Sequence, residues 1–145
     1  MSPSINHSYL CRKILLAIEQ SEHWEAWPEL SLDIDNGVIP DLAVYERGAL
    51  RPDFKEDHIK CTVLPRLIIE VASPTQTMHE LMLKAERLLK VGIPAIWTIE
   101  PYGKIIYVST PHGRKVELAG VIEYDGLRVD FARIFDLEPN GARNA

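Results

Sequence analysis

Two carboxylates in this chain sit where chemistry is plausible. Glu70 interrupts Leu67-Ile68-Ile69-Glu70-Val71, a run otherwise apolar on both faces of the strand it implies. Burying a lone carboxylate is costly, so Glu70 must pair, take up a proton or bind a cation. The alternative is a strand-end glutamate that points into solvent or bonds to a helix N-terminus. Asp41 follows Pro40 within Val38-Ile39-Pro40-Asp41-Leu42-Ala43-Val44. Proline in a strand marks an edge, a bulge or the first residue, and Pro-Asp is also an ordinary turn pair. Alone, Asp41 reads as structural; a second carboxylate on a neighbouring strand changes its meaning. Two such groups can hold a hard cation such as Mg²⁺ through oxygen ligands. The ion then polarises a phosphoryl group and acidifies a bound water. The group that would orient this water and balance charge is Lys84, on the helix after the Glu70 strand. It falls about 110° from the centre of that helix's apolar stripe, so its stem can follow the core while its amine reaches the sheet margin. The same position also suits a solvated lysine. Glu19, on the first helix, is a further candidate carboxylate.

The elements that position these groups follow from periodicity. Cys11, Ile14, Leu15 and Ile18 share one helical face, and Ser8 is a suitable N-cap, which predicts a helix from Ser8 to about Gln20. Trp24 and Trp27 then lead through Pro28 into Leu30-Ser31-Leu32-Asp33-Ile34, whose alternation predicts the first strand. Asp35-Asn36-Gly37 turns it into a second strand, Val38 to Tyr45, so that the two form a hairpin. Arg47 to about Thr62 is a polar, charged loop. Pro65 to Val71 is the Glu70 strand. A helix follows to about Val91, capped through Ser73 and Gln76 or through Thr77 and Glu80, and ended by Gly92. Its stripe of Met78, Leu81, Met82, Ala85, Leu88 and Leu89 should cover a sheet. Strands are expected at Ile93 to Ile99, Lys104 to Ser109 and Lys115 to Leu118. Asp125-Gly126 joins Val121 to Tyr124 with Leu127 to Val129, and Asp130 caps a short helix from Ala132 to Phe135. Pro139 to Ala145 reads as a frayed tail. Strand-helix-strand from Pro65 to Ile99 implies one right-handed parallel crossover, and the hairpins add antiparallel partners. The fold class is therefore α/β of the mixed α+β kind, with helices packed on a mixed sheet.

Bulk properties frame this reading. A chain of 145 residues suits one domain, 1–145, with its core at about 8–137, and 46% hydrophobic content can fill that core. No apolar run approaches the roughly 20 residues of a membrane helix, and Met1 to Tyr9 lacks a signal-peptide apolar block, so a cytoplasmic protein without membrane contact is expected. Cys11 and Cys61 form no metal-ligand pattern and read as reduced thiols, Cys11 facing the core. His58 and His79 read as surface residues. The formal net charge of -5 opposes DNA binding unless positive charge is concentrated locally. Arg47, Arg51, Lys55 and Lys60 in the polar loop are the candidates for that role.

Several strings resemble a known family. Ile39-Pro40-Asp41-Leu42-Ala43-Val44-Tyr45 is similar to its "PDLAVY" segment, and Leu67-Ile68-Ile69-Glu70-Val71-Ala72-Ser73-Pro74-Thr75 to its "LVIEVLSPST" segment. Lys84, Gly92-Ile93 and Trp97 stand where its helix lysine, "GV" turn and strand tryptophan occur. Trp27 to Ile34 resembles its first hairpin, and the likeness covers about residues 27 to 137. This is the Uma-type restriction-endonuclease family, a branch of the PD-(D/E)XK nuclease superfamily. The resemblance implies a restriction-endonuclease-like fold, a Mg²⁺ or Mn²⁺ ion held by Asp41 and Glu70 with the carbonyl of Val71, and a catalytic Lys84. The superfamily lysine normally sits two residues after the acid; that position is Ala72 here. A second departure is Pro94-Ala95-Ile96-Trp97, where relatives more often have Glu-Tyr-Trp. The implied function is a metal-dependent DNA endonuclease, and cutting both strands of a duplex implies a homodimer. The alternative is a catalytically inactive binding or assembly module, favoured by the displaced lysine and the acidic charge. A third reading is a metal-assisted hydrolase of RNA or nucleotides.

Overall fold

The computed structural model describes residues 3–137; the tail expected at 139–145 lies outside them. Helix α1 (Ile5–Glu19) opens the chain. It begins one turn earlier than its apolar periodicity suggests, because Ser4 rather than Ser8 is the N-cap, its hydroxyl accepting from the amide of His7. Leu10, Ile14 and Ile18 bury the helix's inner face.

A six-stranded sheet follows, in the order β1-β2-β3-β4-β5-β6. Its strands are β1 (Trp24–Pro28), β2 (Leu42–Glu46), β3 (Leu67–Val71), β4 (Ile96–Glu100), β5 (Ile105–Thr110) and β6 (Gly113–Leu118). The first hairpin differs from expectation. Trp24–Pro28, not Leu30–Ile34, pairs antiparallel with β2, from Trp24 opposite Glu46 to Pro28 opposite Leu42. Both segments are buried, Trp24 and Ala26 beneath α1 and Leu32, Ile34 and Val38 on the α2 face, but the 30–38 segment makes only isolated bridges from Leu32 to Val38 and to Cys61. Pro40 lacks an amide proton, so β2 starts beyond it at Leu42 rather than at Val38. The Asp35-Asn36-Gly37 turn does form, with positive φ at Asp35 (51°) and Gly37 (108°).

Strand β3 lies in the sheet's interior, antiparallel to β2 and parallel to β4, and all five of its residues are buried. The β3–β4 crossover is helix α2 (Met78–Lys90). Thr77 and Glu80 form its capping box, while Gln76 folds back on Ser73 in a local turn. The polypeptide then leaves α2 through Gly92 at φ 109°, the left-handed conformation glycine tolerates best. The two helices cover opposite faces of the sheet. The α1 face carries Leu42, Val44, Leu67, Ile69, Val71, Trp97 and Ile99; on the other, Ala85 and Leu88 of α2 meet Ile68 and Ile96. A separate hairpin, β7 (Val121–Tyr124) and β8 (Leu127–Asp130), and a short helix α3 (Phe131–Phe135) close the α1 side.

Replacing Thr77 with alanine should remove one half of the capping box and cost about 1 kcal/mol. Thermal melts should show the midpoint falling by about 2–4 °C for a chain of this size.

Candidate metal centre

Alternation along β3 places Glu70 on the α2 face, between Ile69 and Val71 on the α1 face. Asp41 sits just before β2, beside the C-terminal end of β3, because Leu42 pairs with Ile69. Its carboxylate turns across that end: Oδ2 accepts from the backbone amide of Val71 at 2.8 Å. From α2, Lys84 reaches over the sheet margin until Nζ stands 2.7 Å from Glu70 Oε2. The three groups named from the sequence thus lie near one another at the C-terminal end of β3.

Glu70 is the most perturbed acid of the group. Its side chain is 6% exposed. Burial raises its pKa from 4.5 to about 7, against the lowering pull of the Lys84 charge; the Asp41 charge raises it further, and bonding to Lys84 and to the Asp41 amide lowers it. The Lys84 ammonium at 2.7 Å is the charged partner of Oε2, and the carboxylate is otherwise enclosed by the protein. A buried carboxylate beside a second carboxylate, with one ammonium between solvent and core, can exchange that ammonium for a cation. Lys84 balances only one of the two carboxylates, so the ionised group retains net negative charge. Oxygen donors with residual negative charge suit a hard divalent ion.

The group includes a residue that the sequence reading missed. His7 is buried, and its Nε2 lies 3.0 Å from Asp41 Oδ2. Its Nδ1 lies 3.8 Å from the sulfur of Cys11, one turn further along α1. His7, Cys11 and Asp41 each offer a ligand atom within 4.8 Å of the others, which corrects the reading of Cys11 as outside any metal-ligand pattern. The signal available was the four-residue spacing of His7 and Cys11, which a helix beginning at Ser8 leaves outside the helical face. These three residues line an open cleft of about 420 Å³, with Arg12 and Glu29 at its walls.

Two other expectations are corrected. Glu19 lies twelve residues beyond His7, about 18 Å along α1. Its Oε2 accepts from the amide of Ala26, so it fastens β1 rather than joining Asp41. Arg47 donates to the carbonyls of Glu19 and Ser21 and pairs with Glu19 and Glu25, which commits it to the fold rather than to a phosphate. Arg51, Lys55 and Lys60 are exposed, as are His58 and His79.

The fold is that of a nuclease-like mixed α/β protein. It superposes on the crystal structure of a "putative nuclease belonging to DUF820" from Anabaena variabilis ATCC 29413 with a TM-score of 0.79 and 20% sequence identity, over 93% of this chain and 83% of that one. The chain belongs to the Uma2 family, described as "Putative restriction endonuclease", whose profile matches residues 1–132. No curated protein matches it. Among the described residues, no helix is long and apolar enough to cross a membrane.

Proposed function

We propose that this protein is a metal-dependent endodeoxyribonuclease whose Mg²⁺ or Mn²⁺ is held by Asp41, Glu70 and the carbonyl of Val71. The observation that carries this reading is Glu70: a buried carboxylate whose pKa burial raises, beside a second carboxylate and paired with an ammonium. Bound there, the cation supplies an acidified water and polarises the scissile phosphate. The rest is work for the side chains. Asp41 is held in place by the Val71 amide and His7, so its orientation is set before substrate arrives. Lys84, released from its pairing with Glu70, orients the water and offsets charge developing on the phosphate. It thereby takes the part of the lysine absent at position 72. Cutting both strands of a duplex calls for two such centres, hence a homodimer.

A second reading, an inactive binding module, is favoured by Ala72 at the motif's lysine position and by the net charge of -5. The deciding assay offers supercoiled plasmid, single-stranded DNA and RNA with Mn²⁺. Nicking or linearisation of plasmid that is lost in Asp41→Ala supports the nuclease. Mn²⁺ binding without cleavage of any substrate supports the module, and preference for RNA moves the substrate class.

The DNA-facing charge is expected from Arg51, Lys55 and Lys60 in the exposed loop. Replacing all three with glutamine should weaken DNA binding uniformly across sequences. The slope of log affinity against log salt should shrink by about 1 for each phosphate that these side chains neutralise. Unchanged affinity at low salt would remove the loop from the interface.

A further inference from the structure

The first turns of α1 bring a different class of donor to Asp41. His7 and Cys11, four residues apart, point the same way from the helix, and the Ser4 cap holds the turn that carries His7. Their nitrogen and sulfur lie with an Asp41 oxygen inside 4.8 Å. We propose that His7, Cys11 and Asp41 form a second cation site, selective for Zn²⁺ or Co²⁺, whose occupation withdraws Asp41 from Glu70 and so shuts down the carboxylate centre.

The spacing suits such an ion. Ligands around a tetrahedral Zn²⁺ stand about 3.3–3.6 Å apart, given bonds of about 2.0–2.3 Å. The present contacts use opposite ring nitrogens, 3.0 Å from His7 Nε2 to Asp41 Oδ2 and 3.8 Å from Nδ1 to Cys11 Sγ, whereas an ion takes one nitrogen, with the three donors now within 4.8 Å of one another. Rotation of the His7 ring, with closure of that span by about 1 Å, replaces this hydrogen-bonded chain with three metal bonds. The cleft they line is open, so a water can complete the tetrahedron. On binding, the Cys11 sulfur exchanges its proton for the cation and the proton leaves to solvent; His7 binds as neutral imidazole and gives up its bond to Asp41. Without the ion the thiol stays protonated, since burial and the charges of Asp41, Glu70 and Glu29 push its pKa up to about 12. Donor softness separates the two sites. Thiolate and imidazole favour Zn²⁺ and Co²⁺, whereas the oxygen set of Asp41 and Glu70 favours Mg²⁺ and Mn²⁺. They share Asp41, and the oxygen of it that faces His7 is also the one held by the Val71 amide at the carboxylate centre, so an ion on the His7 side draws that carboxylate away.

Cation binding by His7 and Cys11 stands on this geometry alone; the shutdown rests on the nuclease reading above. Titration of the purified protein with Co²⁺ should raise a sulfur-to-metal charge-transfer band in the near ultraviolet. The band should disappear in Cys11→Ser and His7→Ala, verified as folded by circular dichroism, and persist in Cys61→Ser and Glu70→Gln. Cys61 is the internal control, because its sulfur faces Tyr45 and Val63. One equivalent of Zn²⁺ should bleach the band and expel Mn²⁺ from the wild type but not from Cys11→Ser. No band in the wild type, or a band that survives Cys11→Ser, overturns the site. Wild-type Mn²⁺ retained in the presence of Zn²⁺ overturns the sharing of Asp41. A normal Co²⁺ band in a protein that never binds Mn²⁺ leaves this site standing and sinks the carboxylate centre instead.

Discussion

Glu70→Gln is expected to abolish Mn²⁺-dependent cleavage and, in the same protein, to increase stability at neutral pH. The two effects have one origin. The folded carboxyl titrates near 7 instead of 4.5, chiefly because it is buried. Between those values the folded chain binds more protons than the unfolded one, so stability falls as pH rises through that window and levels off above 7. Glutamine keeps the shape and cannot ionise, so its melting temperature should stay nearly flat from pH 4.5 to 7 where the wild type declines. Loss of the ligand should weaken Mn²⁺ binding by at least about 100-fold, beyond the usual effect of removing a supporting residue. Saturating Mn²⁺ should recover the wild type's lost stability and leave the variant unchanged. A structural role for Glu70 predicts the reverse: glutamine would destabilise the protein at every pH. Melting curves at pH 5, 6, 7 and 8, with and without Mn²⁺, separate the two.

Lys84→Met should lower the cleavage rate by about 10²–10³-fold while leaving a protein that still binds Mn²⁺ above pH 8. The methionine stem keeps the packing along α2, and the ammonium it removes is the nearest positive charge to Glu70. Since the Lys84 charge holds the Glu70 pKa down, its removal moves that pKa above 7, and the pH at which Mn²⁺ binding is half complete should move up with it. A lysine that only packs would alter stability without moving either the rate or this midpoint. Single-turnover cleavage and Mn²⁺ titrations between pH 6 and 9 provide both readouts.

The proximity of Glu70 and Lys84 was legible because Glu70 breaks an apolar pattern. An acid at the middle of a doubly buried strand has few explanations, and the spacing to Asp41 and Lys84 narrows them further. The α2 crossover was legible for a similar reason: Leu81, Ala85 and Leu88 repeat at helical period and do bury against the sheet. What failed was decided by packing between distant segments. Leu30–Ile34 alternates as well as any strand, but the Trp24–Pro28 segment has the bulk to pair with β2 and fill the core beneath α1. Ser4 and Ser8 are equally good caps by type, and only the fold shows that the earlier one carries His7 to Asp41. Glu19 and Arg47 illustrate the same point in charged residues. Each looked available, and each is bound to backbone elsewhere in the fold.

Anomalous diffraction from crystals soaked in Mn²⁺ tests the central claim most directly. One manganese peak is expected between the side chains of Asp41 and Glu70, within bonding distance of an oxygen from each, with Lys84 turned away from Glu70 to admit it. Density that avoids Glu70, or no bound manganese at concentrations that support cleavage, would contradict the account.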